Sequence, residues 1–303
     1  MQHVGAERTF GDVLFKIINY VVFGVFTFLC AYPFYYIIIN SISANDLSSM
    51  RQINFIPRGI HFRNYLEVLN LDGISRAAFI SFARTILGAS FTVLASGFLG
   101  FMFTQKKMWA RKFWYRFVII SMYFNAGIIP IFMTMRTLNL TNTFWVYVIP
   151  AIVQPFNIIL VKTYIESIPA SLQEAAEIDG ASVFTIFIRI ILPLCVPILA
   201  TVGIFAAVGQ WSAFQDTLLF ITDQSLWSLQ FLLYTYLNQA QSLAQLVAQT
   251  GVGNQAAINA ALQQTPLSIQ MTISVIVVLP VLLIYPFLQR FFVKGIMIGS
   301  VKG

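Results

Sequence analysis

Three carboxylates in one short stretch, Glu174, Glu177 and Asp179, are the first candidates for chemistry. Acid–base work needs carboxyl groups facing one another across a pocket. These three lie on successive turns of an amphipathic segment with no pocket of its own, so no catalytic residue is assigned. The two histidines, His3 and His61, stand too far apart in sequence to suggest a metal site, and no metal is expected. Cys30 and Cys195 both sit in apolar runs and read as inert buried thiols. No Ser/His/Asp grouping is credible, and there is no G-x-x-x-x-G-K-[ST] phosphate loop. A second set of polar residues interrupts apolar sequence: Asn125 near Gly127 and Pro130, Gln154 and Asn157 around Pro155, then Gln210, Trp211, Ser212, Gln215 and Asp216. Polar groups at membrane depth are functional hypotheses by default. Amides, a carboxylate and an aromatic face suit a path for a polar solute; hydrogen bonding between helices uses the same groups, and both readings stand.

The composition requires a membrane around these residues. Of 303 residues 58% are apolar and 10% charged, with a mean hydropathy of +0.78. A soluble domain is roughly 25% charged, so a cytosolic enzyme, a secreted disulfide scaffold and a disordered regulator are excluded. A helix needs about 20 apolar residues to span a bilayer. Six stretches qualify: Leu14 to Ile39, Phe79 to Phe103, Phe113 to Met133, Phe144 to Tyr164, Ile186 to Phe220 and Ile269 to Val293. The expected fold is all-α, a single polytopic domain over 1–303 with six transmembrane helices. The first stretch is longer than a signal-peptide core and lacks an A-x-A-like cleavage site, so it is expected to remain as an anchor.

Charge orients the chain. The net charge of +7 reflects topology rather than nucleic-acid binding, since no basic face is interleaved with exposed aromatics. Lys106, Lys107, Arg111, Lys112 and Arg116 occupy a short connection, which the positive-inside rule places in the cytoplasm. Arg8 and Lys16 at one end and Arg290, Lys294 and Lys302 at the other put both termini on that side, as an even number of crossings requires. The connections Asn40 to Arg76 and Thr222 to Ser268 then face outward. The second has no Asp, Glu, Lys or Arg from Gln224 through Gln289, and its Ala/Gln-rich middle, Gln239 to Gln264, reads as short helical pieces around Gly251 and Gly253.

Between the fourth and fifth stretches, Pro169 and Ser171 start a short helix with acid in its early turns, and Gly180 stops it. The segment satisfies the pattern EAA, three residues, G, nine residues, I, one residue, LP through Glu174, Ala175, Ala176, Gly180, Ile190, Leu192 and Pro193. This EAA motif resembles the permease signature of binding-protein-dependent ABC importers, which have the MetI-like transmembrane fold. The extension Asp179-Gly180-Ala181-Ser182 is similar to the carbohydrate branch. Phe124 to Pro130, Asn142 to Trp145 and Phe292 to Gly303 resemble its subgroup importing oligosaccharides and polysaccharide fragments in Gram-positive bacteria. Ser212 departs from the Trp-Asn common in carbohydrate permeases at Trp211-Ser212.

The resemblance implies a sugar-import permease in the cell membrane, working by alternating access. It implies a coupling helix at about 169–181, with Glu174, Ala175, Ala176, Glu177, Asp179, Gly180 and Ala181 at the interface with a cytoplasmic ATPase dimer. ATP and Mg belong to that partner, and no cofactor is expected in this chain. A second homologous permease, membrane lipid and an extracytoplasmic sugar-binding protein, a lipoprotein, complete the implied partners. The substrate path falls on Asn125, Gln154, Asn157, Trp211, Gln215 and Asp216. Binding-protein contact falls on Gln241, Gln245, Gln249, Asn254 and Gln255, or else this insert caps its own permease. The alternatives are a proton-coupled secondary transporter using Asp216, an ABC permease for a non-sugar solute, and a membrane scaffold without transport.

Overall fold

The computed structural model describes residues 10–249 and 267–295. They form helices joined by turns, with no strand among the described residues. Two compact units are present, residues 1–68 with 240–276 and residues 69–239 with 277–303.

In the first unit, α1 (Phe10–Ser41) is a single span; none of its most apolar window is buried within the chain. Short helices α2 (Asn45–Ser49) and α3 (Arg63–Leu69) follow. A buried polar knot ties the end of α1 to them. The Asn40 amide donates to the Ile53 carbonyl (3.2 Å) and accepts from the Ser48 hydroxyl (2.9 Å), while the Asn64 amide donates to the Ser41 carbonyl (3.0 Å). The hydroxyls of Ser41 and Tyr65 meet at 2.8 Å. Buried amides need such partners, so the connection from Asn40 to Tyr65 is built rather than loose.

The second unit is organised on α4 (Ile74–Met102), which packs chiefly against α12 (Val196–Ser212) and α8 (Pro155–Glu166). Gly88 permits the closest approach: a Cβ there would lie 2.7 Å from the Gln210 side chain. Small residues at such crossings let membrane helices approach closely. A core of Phe101, Val161, Ile165, Ile191 and Val202 fills the contact.

The middle stretches are each broken. The third divides into α5 (Arg111–Tyr123) and α6 (Ile128–Thr137), because Phe124 is extended and Gly127 takes φ 82°. The fourth divides into α7 (Trp145–Val148), a 3-10 turn (Ile149–Ala151) and α8, with a 44° bend. Gln154 precedes Pro155 and is therefore extended. The fifth, expected as one span from Ile186 to Phe220, bends by 78° near Cys195. Pro193 and Pro197 withdraw backbone donors there, and a π-turn over Phe187–Ile191 widens the preceding limb, which ends in the single turn α11 (Leu192–Leu194). Only Val196–Ser212 continues as the span, followed by α13 (Gln215–Phe220). Among the described residues two helices, α1 and α4, are long and apolar enough to cross a membrane alone, and there are up to four spans if the bent pairs of the fourth and fifth stretches each count as one. Helix α14 (Leu229–Gln249) carries the chain into the first part of the insert; the turn expected around Gly251 and Gly253 lies outside the described residues, and α15 (Leu267–Gly295) covers the last stretch.

Candidate functional site

Two sites emerge in the second unit. The first is the signature helix, α9 (Ser171–Ile178), standing between α8 and α10 (Val183–Ile186). Its end is a Schellman turn: the Gly180 N–H donates to the Glu177 carbonyl (3.1 Å), and the Ala181 N–H donates to the Ala176 carbonyl (3.0 Å). Gly180 holds φ 79°, where any side chain is strained. Ser182 then caps α10 by accepting from the Thr185 N–H (3.2 Å).

The two signature alanines divide. Ala175 is exposed, but Ala176 is buried with Phe101, Ile165, Ile186 and Phe187, so the close approach it permits is to this chain's own core rather than to a partner. Glu174, Glu177, Asp179 and Gly180 are exposed and Ala181 half-buried. The outward surface includes Leu172 at 45% and Ile178 at 86% exposure. Lys107 Nζ pairs with Glu177 Oε2 at 2.9 Å, and Gln105 donates to Gln173 Oε1 at 3.4 Å, bracing the helix from the α4–α5 connection.

The second site lies around Arg84, a residue whose role was not anticipated. Its side chain is 2% exposed and forms an ion pair with Asp216 through both terminal guanidinium nitrogens, Nη1 and Nη2. Its Nε and Nη2 donate to Gln210 Oε1 at 3.1 and 3.0 Å. The guanidinium lies 4.2 Å from the centre of the Tyr147 ring, a cation–π contact. Gln210 donates its amide to the Tyr147 carbonyl (2.9 Å), and the Tyr147 hydroxyl donates to the Leu226 carbonyl (2.8 Å) beside Thr217. Four helices are thereby tied by a network with its charge neutralised inside it. An arginine within a 29-residue apolar helix was itself the available signal.

This network walls a cavity of about 470 Å³, within the roughly 300–1,000 Å³ of small-molecule sites. Gln154, Asn157 and Asp216 line it, with Phe205 and Phe220 supplying apolar walls. The other expected path residues lie elsewhere. Trp211 is buried; its indole N–H donates to the Val277 carbonyl (2.8 Å) and its ring meets Phe82 edge-on at 5.1 Å. Gln215 is exposed at the start of α13 and is not part of the lining. Asn125 is exposed at the break in the third stretch, accepting from the Gly127 N–H (2.9 Å). Trp211→Phe should therefore lower thermal stability by about 1 kcal/mol and leave the KM of transport unchanged; a raised KM would return Trp211 to the path. The side chains of Gln241, Gln245 and Gln249, and all of Asn254 and Gln255, lie outside the described residues.

Comparison with known proteins places these features in a family. The protein is 32% identical over 290 residues to Protein LplC of Bacillus subtilis (strain 168), covering 96% of this chain and 95% of that one. The polygalacturonan/rhamnogalacturonan transport system permease protein YtcP of the same organism is 29% identical, with coverage of 96% and 99%. A chain in the crystal structure of a bacterial ABC transporter involved in the import of the acidic polysaccharide alginate superposes with a TM-score of 0.81 at 26% identity, covering 95% of this chain and 99% of that one. Residues 93–298, which include α9, the bent spans and the Asp216 half of the polar network, match the inner membrane components of binding-protein-dependent transport systems, and the chain belongs to that family.

Proposed function

We propose that this chain is the permease subunit of an ATP-driven importer for an oligosaccharide or polysaccharide fragment. The observation that carries the reading is α9: the EAA part of the signature folded as a short helix closed at Gly180, with Ala175 and Ile178 outward and its far side seated on the core through Ala176. A displacement applied to that helix passes directly to α4, α8 and α12. ATP and Mg act on a separate cytoplasmic ATPase dimer that seats Glu174, Ala175, Glu177 and Gly180. A second, homologous permease supplies the other half of the pathway and covers apolar surface that this chain leaves open. An extracytoplasmic binding protein delivers the sugar, and the insert around Gln241 to Gln255 faces it.

The cavity beside Arg84 is the substrate path, with Gln154 and Asn157 as amide hydrogen-bonding groups and Phe205 and Phe220 as apolar walls. The sugar transport of the relatives supports this assignment. Proton carriage by Asp216 receives no support from the geometry, since both its oxygens are engaged by Arg84.

Purification of the full chain from its native membrane tests the assembly. It should bring down an ATPase, a second permease and a sugar-binding protein; isolation with none of them would defeat the reading. Both termini are cytoplasmic in this account. A cysteine replacing Trp109 should be shielded from an impermeant thiol reagent outside intact cells, whereas one replacing Gln245 should react, and the reverse pattern would invert the topology.

A further inference from the structure

Between the end of α4 and the start of α5 lies a cavity of about 540 Å³ that neither site uses. Lys106, Ala110, Arg111, Lys112, Phe113 and Arg116 line it, with no carboxylate among them. Lys107, from the same connection, is matched by Glu177. The ion pairs among the described residues take none of Lys106, Arg111, Lys112 or Arg116. Arg111 is fixed by donating to the Thr104 carbonyl (2.9 Å), so its charge is positioned but not neutralised.

Local structure makes this clustering costly for the chain alone. Helix α5 starts from Ala110 at φ 48° with no side-chain cap, and its first turn carries Arg111 and Lys112 with no acidic residue. Cations there oppose the helix dipole, which favours an anion. One side of the helix is attached through Tyr115, which packs beneath Lys162, whose Nζ lies 4.4 Å from the ring centre, and against Phe103 at 5.6 Å. Arg111 is thus set in place, and the exposed Lys106, Lys112 and Arg116 stand beside it.

The rim indicates what the anion is attached to. Trp109 is 80% exposed and Phe113 62% exposed beside the lysines and arginines. Aromatics next to basic side chains mark the boundary between headgroups and hydrocarbon. No residue of α5 is buried within the chain, so an acyl chain has an apolar surface to follow below the basic mouth. Basic pockets at the ends of membrane helices bind acidic headgroups through charge-assisted hydrogen bonds to phosphate.

We propose that this cavity binds the phosphate of an acidic phospholipid, with Lys106, Lys112 and Arg116 on the headgroup and Trp109 and Phe113 against the acyl region. Native mass spectrometry of the full chain in neutral detergent, titrated with phosphatidylglycerol or phosphatidylcholine, tests it. Phosphatidylglycerol should bind at least about tenfold more tightly, and the triple variant Lys106→Gln/Lys112→Gln/Arg116→Gln should abolish that preference. The charge-retaining variant Lys106→Arg/Lys112→Arg/Arg116→Lys should keep it, which separates loss of the site from loss of the fold. Preference for phosphatidylglycerol that survives in the Gln variant would overturn the site. Displacement of the lipid by millimolar inorganic phosphate would overturn the lipid assignment and transfer the site to a free anion.

Discussion

Asp216→Ala should destabilise the chain by about 3 kcal/mol, at the low end of the roughly 3–5 kcal/mol for breaking a buried ion pair. Arg84 would remain 2% exposed with its charge unmatched, while the cavity admits some water on the Asp216 side, which is 22% exposed. Gln210 cannot compensate, because its carbonyl oxygen is neutral and already accepts from Arg84. Asp216→Asn should behave similarly, since it preserves shape and removes charge. The double replacement Arg84→Met/Asp216→Leu should recover much of the lost stability, as buried pairs are often replaceable by apolar residues. Thermal denaturation of the purified single and double variants measures this; a double variant no more stable than Asp216→Ala would show that the pair is not the source of the effect.

Gly180→Trp should abolish coupled transport while leaving the protein in the membrane. The left-handed conformation costs a side chain about 1–2 kcal/mol, and the Schellman turn fixes that conformation. A Cβ at Gly180 meets nothing within 4 Å of its own chain, so internal crowding adds nothing. Gly180→Ala should consequently keep partial activity, and the indole should block the ATPase. Uptake and ATP hydrolysis assayed together distinguish the outcomes: hydrolysis without uptake, or loss of the ATPase on purification, is expected for Gly180→Trp. Normal values of both would remove Gly180 from the interface.

Much of this was legible in the residues, and the exceptions have physical causes. The signature predicts α9 because Pro169, Ser171 and Gly180 punctuate it locally, and the structure ends that helix where Gly180 stands. Apolar length locates spans but is blind to bends, so Pro193 and Pro197 converted one expected span into a limb and a helix at 78°. Polar residues in apolar sequence identify depth but not direction. Gln154 and Asn157 line the cavity, whereas Trp211, one residue beyond Gln210, points to Val277. The role of Arg84 is not legible in the sequence because its partner Asp216 lies 132 residues away, on an element whose approach only tertiary packing establishes.

The central claim is that ATP bound by a partner drives sugar through this chain by way of α9. The most direct measurement uses proteoliposomes containing this permease, its partner permease and the ATPase, supplied with the binding protein and a radiolabelled oligosaccharide that the binding protein takes up. Uptake should require ATP and the binding protein, persist when a protonophore collapses the proton gradient, and disappear with Gly180→Trp. Uptake that proceeds without ATP and vanishes with the proton gradient would contradict the account.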